Sequence, residues 1–146
     1  ALHCQRETAE AITTKGGHYI LTVKANQPRL HTRLKALPWN QIPVSARSTE
    51  RRHGRTATRT LKAAEIAEGI DFPHAVQVLK VIRTVTNART GKRYTETVYA
   101  VTSLSVTDAT PTEVAGWLRG HWAIEVRREV ALVERIYRLE DRMGGG

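Results

Sequence analysis

Two β-rich runs with turn chemistry between them constrain this 146-residue chain more than any other feature. The first, Ala75 to Thr86, carries Val76, Val78, Leu79, Val81, Ile82 and Val85, and the second runs from Tyr94 to Leu104. Asn87-Ala88-Arg89-Thr90-Gly91 lies between them. β-Branched and aromatic residues suit a pleated, half-buried surface, and an Asn- and Gly-containing connector reverses the chain, so the spacing predicts a hairpin. Any fold for the chain has to be built around it.

The flanking segments read differently. Residues 5–15 are rich in Ala and Glu and are followed by Gly16-Gly17, which predicts a short helix with a glycine C-cap. His18 to Lys24 reads as a strand, and Asn26-Gln27-Pro28 ends it. Leu30, Leu34 and Leu37 stand at helical spacing until Pro38. From Trp39 to about Arg55 the sequence is irregular and polar and is expected to be an exposed loop, and Arg55 to Leu61 alternates as a strand. Thr110-Pro111-Thr112-Glu113 is a helix start, with Thr110 as N-cap and Glu113 as the reciprocal acid.

Charge is the informative bulk property. Twenty-three Lys and Arg against 14 Asp and Glu give a net charge of +9, a balance that favours nucleic acid or another polyanion through counterion release. Arg47, Arg51, Arg52, Arg55 and Arg59 crowd into a short stretch around His53. No apolar run is long enough to span a membrane, and no signal-peptide core is present in the first residues. The single cysteine, Cys4, makes no internal disulfide, so a reducing cytoplasm fits.

The helix that begins at Pro111 carries an anomaly. Val114, Leu118 and Trp122 lie on one stripe, and Glu125 falls within about 20° of Leu118 on the wheel. A carboxylate there is either at the edge of a partly buried stripe or compensated by a cation, a hydrogen bond or a metal ion. His121, one turn before it, shares that face and either orients the glutamate or is a structural histidine.

Arg119-Gly120-His121-Trp122-Ala123-Ile124-Glu125 resembles the R-G-H-W-x-I-E signature of insertion-sequence transposases in the H-repeat-associated (ISAs-type) branch of the DDE superfamily. Two other blocks are similar to the same family. Ala1-Leu2, Gln5, Ala9, Ile12, Gly16-Gly17, Tyr19 and Lys24-Ala25-Asn26-Gln27-Pro28 match one, and His53-Gly54-Arg55 with Arg59 matches the other. The three blocks occur in order over residues 1–125.

The resemblance implies an α/β fold: a partial RNase H-like core, a β-rich insertion and a long C-terminal helix. Residues 1–38 would be the tail of the core, 39–106 the insertion, and 107–146 the glutamate-bearing helix with a divergent tail. Glu125 would be the catalytic glutamate and a ligand for Mg²⁺ or Mn²⁺, since two divalent ions held by carboxylates drive phosphodiester transfer. Arg119, His121, Lys24, His53, Arg55 and Arg59 would touch DNA, although Lys24 could equally balance acidic charge and His53-Gly54-Arg55 could be a plain charged turn.

The chain also departs from the pattern. The family's two catalytic aspartates have no counterpart here, because Asp71, Asp108 and Asp141 fall in no matching block. After Glu125 the family sequence gives way to Val126-Arg127-Arg128-Glu129, as expected of a frameshift or truncation just past the glutamate codon. The expectation is therefore a transposase-derived segment that is catalytically incomplete alone. The competing expectation is a non-catalytic basic module that binds DNA or pairs with a full-length transposase.

Overall fold

The computed structural model describes residues 2–24, 27–66 and 70–122, and it shows a mixed α/β fold built on one antiparallel sheet. The elements in chain order are α1 (Leu2–Thr14), β1 (Ile20–Val23), α2 (Pro28–Lys35), β2 (Ala46–Arg52), β3 (Arg55–Glu65), β4 (Gln77–Asn87), β5 (Arg93–Thr102) and α3 (Pro111–Trp122). The sheet order is β1-β5-β4-β3-β2, so every neighbour except β1–β5 follows its partner in the chain.

Local chemistry explains the boundaries. Gly16, at φ +85°, closes α1 in a Schellman arrangement: Gly17 N–H donates to the Ile12 carbonyl at 2.9 Å and Gly16 N–H to the Thr13 carbonyl at 3.0 Å. The β4–β5 connection is an Asx turn in which Asn87 Oδ1 accepts from the backbone of Arg89 at 2.9 Å and Thr90 at 3.1 Å. The capping box at α3 is formed. Thr110 N–H donates to Glu113 Oε1 at 3.0 Å, and Glu113 N–H donates to Thr110 Oγ1 at 3.2 Å.

The expected loop from Trp39 to Arg55 is corrected. Trp39–Gln41 form a single 3₁₀ turn, and Ala46–Arg52 form β2, hydrogen-bonded to β3 along its whole length. β2 has no apolar alternation because it is an outer strand with little to bury, and backbone pairing to β3 holds it instead. β3 also runs four residues past the expected end, to Glu65.

Helices cover the sheet on both sides, but only at one end. On one side, Ala9 and Ile12 of α1 and Leu30 and Leu34 of α2 pack with Leu21, Val78, Tyr99 and Val101. On the other, Val114 and Leu118 of α3 pack over Ile20, Leu61, Leu79, Val81 and Ala100. β1, an edge strand by order, is no more than 4% exposed at any residue, so it is enclosed from both faces. Lys62 on the first side donates to the Trp39 carbonyl at 2.7 Å and ties the 3₁₀ turn to β3. Beyond this root no helix among the described residues lies over β2, β3, β4 and β5, which continue as a ribbon, exposed along most of β2 and the start of β5 and half-buried along β3 and β4, with Val85 buried. Among the described residues no helix is long and apolar enough to cross a membrane.

Candidate nucleic-acid interface

The ribbon ends in the turn that joins β2 to β3. Arg52 pairs with Arg55, leaving His53 and Gly54 as a two-residue loop, with φ values of +53° and +73°. Positive φ at both positions is the type I′ geometry that matches the twist of paired strands. Glycine takes it without strain, and histidine is among the residues that tolerate it. The glycine of this block is therefore required by the turn itself, and the Gly54 carbonyl accepts from Ala88 N–H at 2.8 Å, fastening the turn to the end of β4.

Strand alternation then sorts the arginines. Residues paired across an antiparallel sheet share a face, so Arg52, Arg55 and Arg59 lie on the α3 side, together with Arg83, which stands opposite Arg59. Arg47 and Arg51 point to the other side. The arginine cluster that is continuous in sequence is thus split between two surfaces.

On the α3 side these residues surround an open cleft of about 380 Å³ lined by Arg52, His53, Arg55, Arg59 and Arg83, with Glu50 as its acid and Ala57 and Val85 as its floor. Two like charges directly opposite each other repel. Flanking carboxylates offset this: Arg59 Nη1 lies 3.5 Å from Glu50 Oε2, and Arg83 Nη1 lies 3.4 Å from Glu96 Oε2. Arg83 also donates to the Tyr94 hydroxyl at 3.4 Å. These contacts engage Arg59 and Arg83 through their Nη1 atoms, while Arg52 and Arg55 at the tip stay exposed. Such an arrangement can take an anion with the planar, forked geometry that phosphate accepts. A smaller hollow of about 90 Å³ separates α3 from the β2–β3 hairpin, and Arg59 lines it as well as the cleft.

Of the residues expected to touch DNA, the structure brings His53, Arg55 and Arg59 together and adds Arg52 and Arg83. Arg83 does not stand out in the sequence, because only the strand register reveals that it faces Arg59. Lys24 does not join them. It is the first residue past β1, three strands from β3, or about 14 Å at the usual spacing. Arg119 and His121 lie on the last turn of α3, the helix that covers the same side of the sheet. Glu125 lies outside the described residues. Among the described residues no group of three or more His, Cys, Asp or Glu side chains is placed to hold a metal ion.

One further cluster contains catalytic residue types. His18 Nδ1 lies 3.1 Å from Ser103 Oγ, and His18 Nε2 lies 3.9 Å from Asp108 Oδ2. Ser103 is only 6% exposed and its oxygen accepts Tyr19 N–H at 2.9 Å, so the hydroxyl serves to join β1 to the chain after β5. Asp108 accepts Ser105 N–H at 2.8 Å, and this bond holds its carboxyl below the ordinary 3.8; burial opposes it, and the Ser105 hydroxyl and His18 add lesser effects in the lowering direction.

No family model and no solved structure matches the chain. It is similar to an Escherichia coli (strain K12) protein named YbfL, a name that assigns no activity, with 31% identity over 135 residues. That alignment covers 86% of this chain and 35% of YbfL, so the chain spans about a third of the length of the curated relative it matches.

Proposed function

We propose that the chain is the C-terminal part of a DDE-type insertion-sequence transposase and that it binds DNA through the outer end of its β-ribbon. The observation that carries the DNA-binding part is the cleft at the tip, where four arginines and His53 gather against one lining carboxylate, Glu50. Three of those residues belong to a sequence block that resembles the family. Contacts of this kind go to the sugar–phosphate backbone and fix position on a duplex without reading bases.

In this reading residues 1–38 belong to an RNase H-like core, 39–106 to a β-rich insertion and 107–146 to the glutamate helix. Glu125 would supply one oxygen ligand to Mg²⁺ or Mn²⁺ in the whole transposase, where the metal ions activate the nucleophile and stabilise the phosphorane. One carboxylate cannot position two ions. DNA cleavage and strand transfer are therefore proposed of the whole protein, and the 146-residue chain alone is expected not to cut DNA.

Binding of mixed-sequence duplexes to the chain is expected to weaken steeply with salt and to show little base preference. Arg52→Ala/Arg55→Ala/Arg59→Ala should weaken it equally for all sequences. Binding that is indifferent to salt would overturn the DNA-backbone reading. Metal-dependent nicking of plasmid DNA, lost on Glu125→Gln, would overturn the claim that the chain is incomplete.

A further inference from the structure

The face of the ribbon opposite the cleft has a different composition, and among the described residues it is neither covered by a helix nor neutralised. Thr49, Thr58, Thr84 and Thr95 stand side by side across β2, β3, β4 and β5. In the rows on either side, Arg51 and Arg93 flank Thr56 and Thr86, and Arg47 leads the row that contains Thr60, Ile82 and Thr97. Of these twelve positions, eight are threonine, three arginine and one isoleucine. None is acidic.

β-Propensity accounts for threonine on exposed strands, and charge on an edge strand discourages unwanted pairing. Neither accounts for the absence of carboxylates, since the same strands carry Glu50 and Glu96 on the cleft side, each paired with an arginine. Among the described residues Arg47, Arg51 and Arg93 make no ion pair.

The arrangement has a direction. Arg47 and Arg51 stand on β2 at one lateral edge. Arg93 stands on β5, which forms the other edge here because β1 reaches only as far as Tyr99. The field between them is four strands, or about 14 Å, wide, and its hydroxyls repeat about every 6.8 Å along each strand. Thr49 and Thr58 oxygens are 3.4 Å apart, as are those of Thr84 and Thr95. Such long contacts leave hydroxyl capacity for a ligand, since each hydroxyl offers one donor and two acceptor sites.

We propose that this threonine face is a second nucleic-acid surface, distinct from the cleft, and that it takes the sugar–phosphate backbone of duplex DNA. Threonine hydroxyls contact phosphate oxygens along the centre, and the flanking arginines close on the backbone from both edges. The proposal rests on the reading that the chain binds DNA. The sheet itself separates the two surfaces, so a backbone lying on one face does not reach the arginines of the other.

The test is fluorescence anisotropy of a labelled 20-base-pair duplex against the 146-residue chain over a range of NaCl concentrations. In the Arg52→Ala/Arg55→Ala/Arg59→Ala background, where the threonine face alone is left to bind, adding Arg47→Ala/Arg51→Ala/Arg93→Ala should flatten the slope of log affinity against log salt by about 2.7, at about 0.9 for each phosphate no longer neutralised. Affinity at low salt should fall at least about tenfold. Thr58→Val/Thr84→Val keeps the branched shape and removes the hydroxyls, and a several-fold loss is expected with an unchanged melting temperature. If adding those three substitutions to the cleft variant changes neither slope nor affinity, the threonine face is not an interface and the cleft alone holds DNA. If the unsubstituted chain binds no duplex, the DNA reading and this proposal both fall. Tighter binding of an RNA duplex of the same sequence would overturn the choice of DNA as partner.

Discussion

The two ends of β4 show how differently one strand can be used. At the root, Val78 is enclosed with residues of α1 and α2 on one side, and Leu79 lies with residues of α3 on the other. A few residues on, Arg83 is engaged with Glu96 and Tyr94, and Thr84 faces away from them with no helix above it among the described residues. The hydrogen-bond ladder runs through both ends without a break. Continuity of the backbone therefore does not distinguish them; what the side chains meet does. Stability resides in the root, where apolar area leaves water, and the binding chemistry resides in the ribbon, where charge and hydroxyl groups are presented to solvent.

That division can be strained from either end. Leu79→Ala, at the root, removes a fully enclosed side chain and should cost about 2–5 kcal/mol in a denaturant melt. The fraction that remains folded should bind DNA as before. A loss of affinity larger than the loss of folded protein would show that root and ribbon are coupled.

Gly54→Val attacks the other end. A Cβ at Gly54 would meet no atom within 4 Å, so the cost is that of forcing a branched residue to φ +73°, about 1–2 kcal/mol. The effect should be local, loosening the tip that positions Arg52 and Arg55 and lowering DNA affinity, while α1, α2 and α3 keep their amide-exchange protection. Protection lost throughout the chain would mean that the turn is part of the cooperative core.

The smallest effect concerns pH. The Asp108 carboxyl is held below 3.8 chiefly by the Ser105 N–H. Its contribution is therefore present above the unfolded value and lost as pH falls through the folded one. Stability should drop slightly below about pH 4, and Asp108→Asn should remove that part of the acid limb without altering DNA binding at neutral pH. An unchanged acid limb in Asp108→Asn would assign the drop to other carboxylates.

The sequence made elements with a local signal legible, in root and ribbon alike, and hid those that depend on cross-strand pairing. Apolar periodicity marked α2 and the β4–β5 hairpin, and the Thr110/Glu113 pair marked the start of α3, because each is a local signal. β2 was invisible for a physical reason. Ala46-Arg47-Ser48-Thr49-Glu50-Arg51-Arg52 has no apolar face, since neither of its faces is deeply buried, and only pairing with β3 makes it a strand. The arginines around His53 were legible as a basic cluster, but their partition between two faces depends on alternation and on a two-residue turn. Arg83 and the acid-free threonine rows emerge only when four strands are placed in register.

The most direct measurement is a map of backbone amide shift changes in the 146-residue chain on adding a short DNA duplex. The largest changes are expected within residues 47–59 and 83–97, with α1 and α2 unmoved. Changes confined to the helical root, or no changes at all, would contradict the assignment of DNA binding to the ribbon.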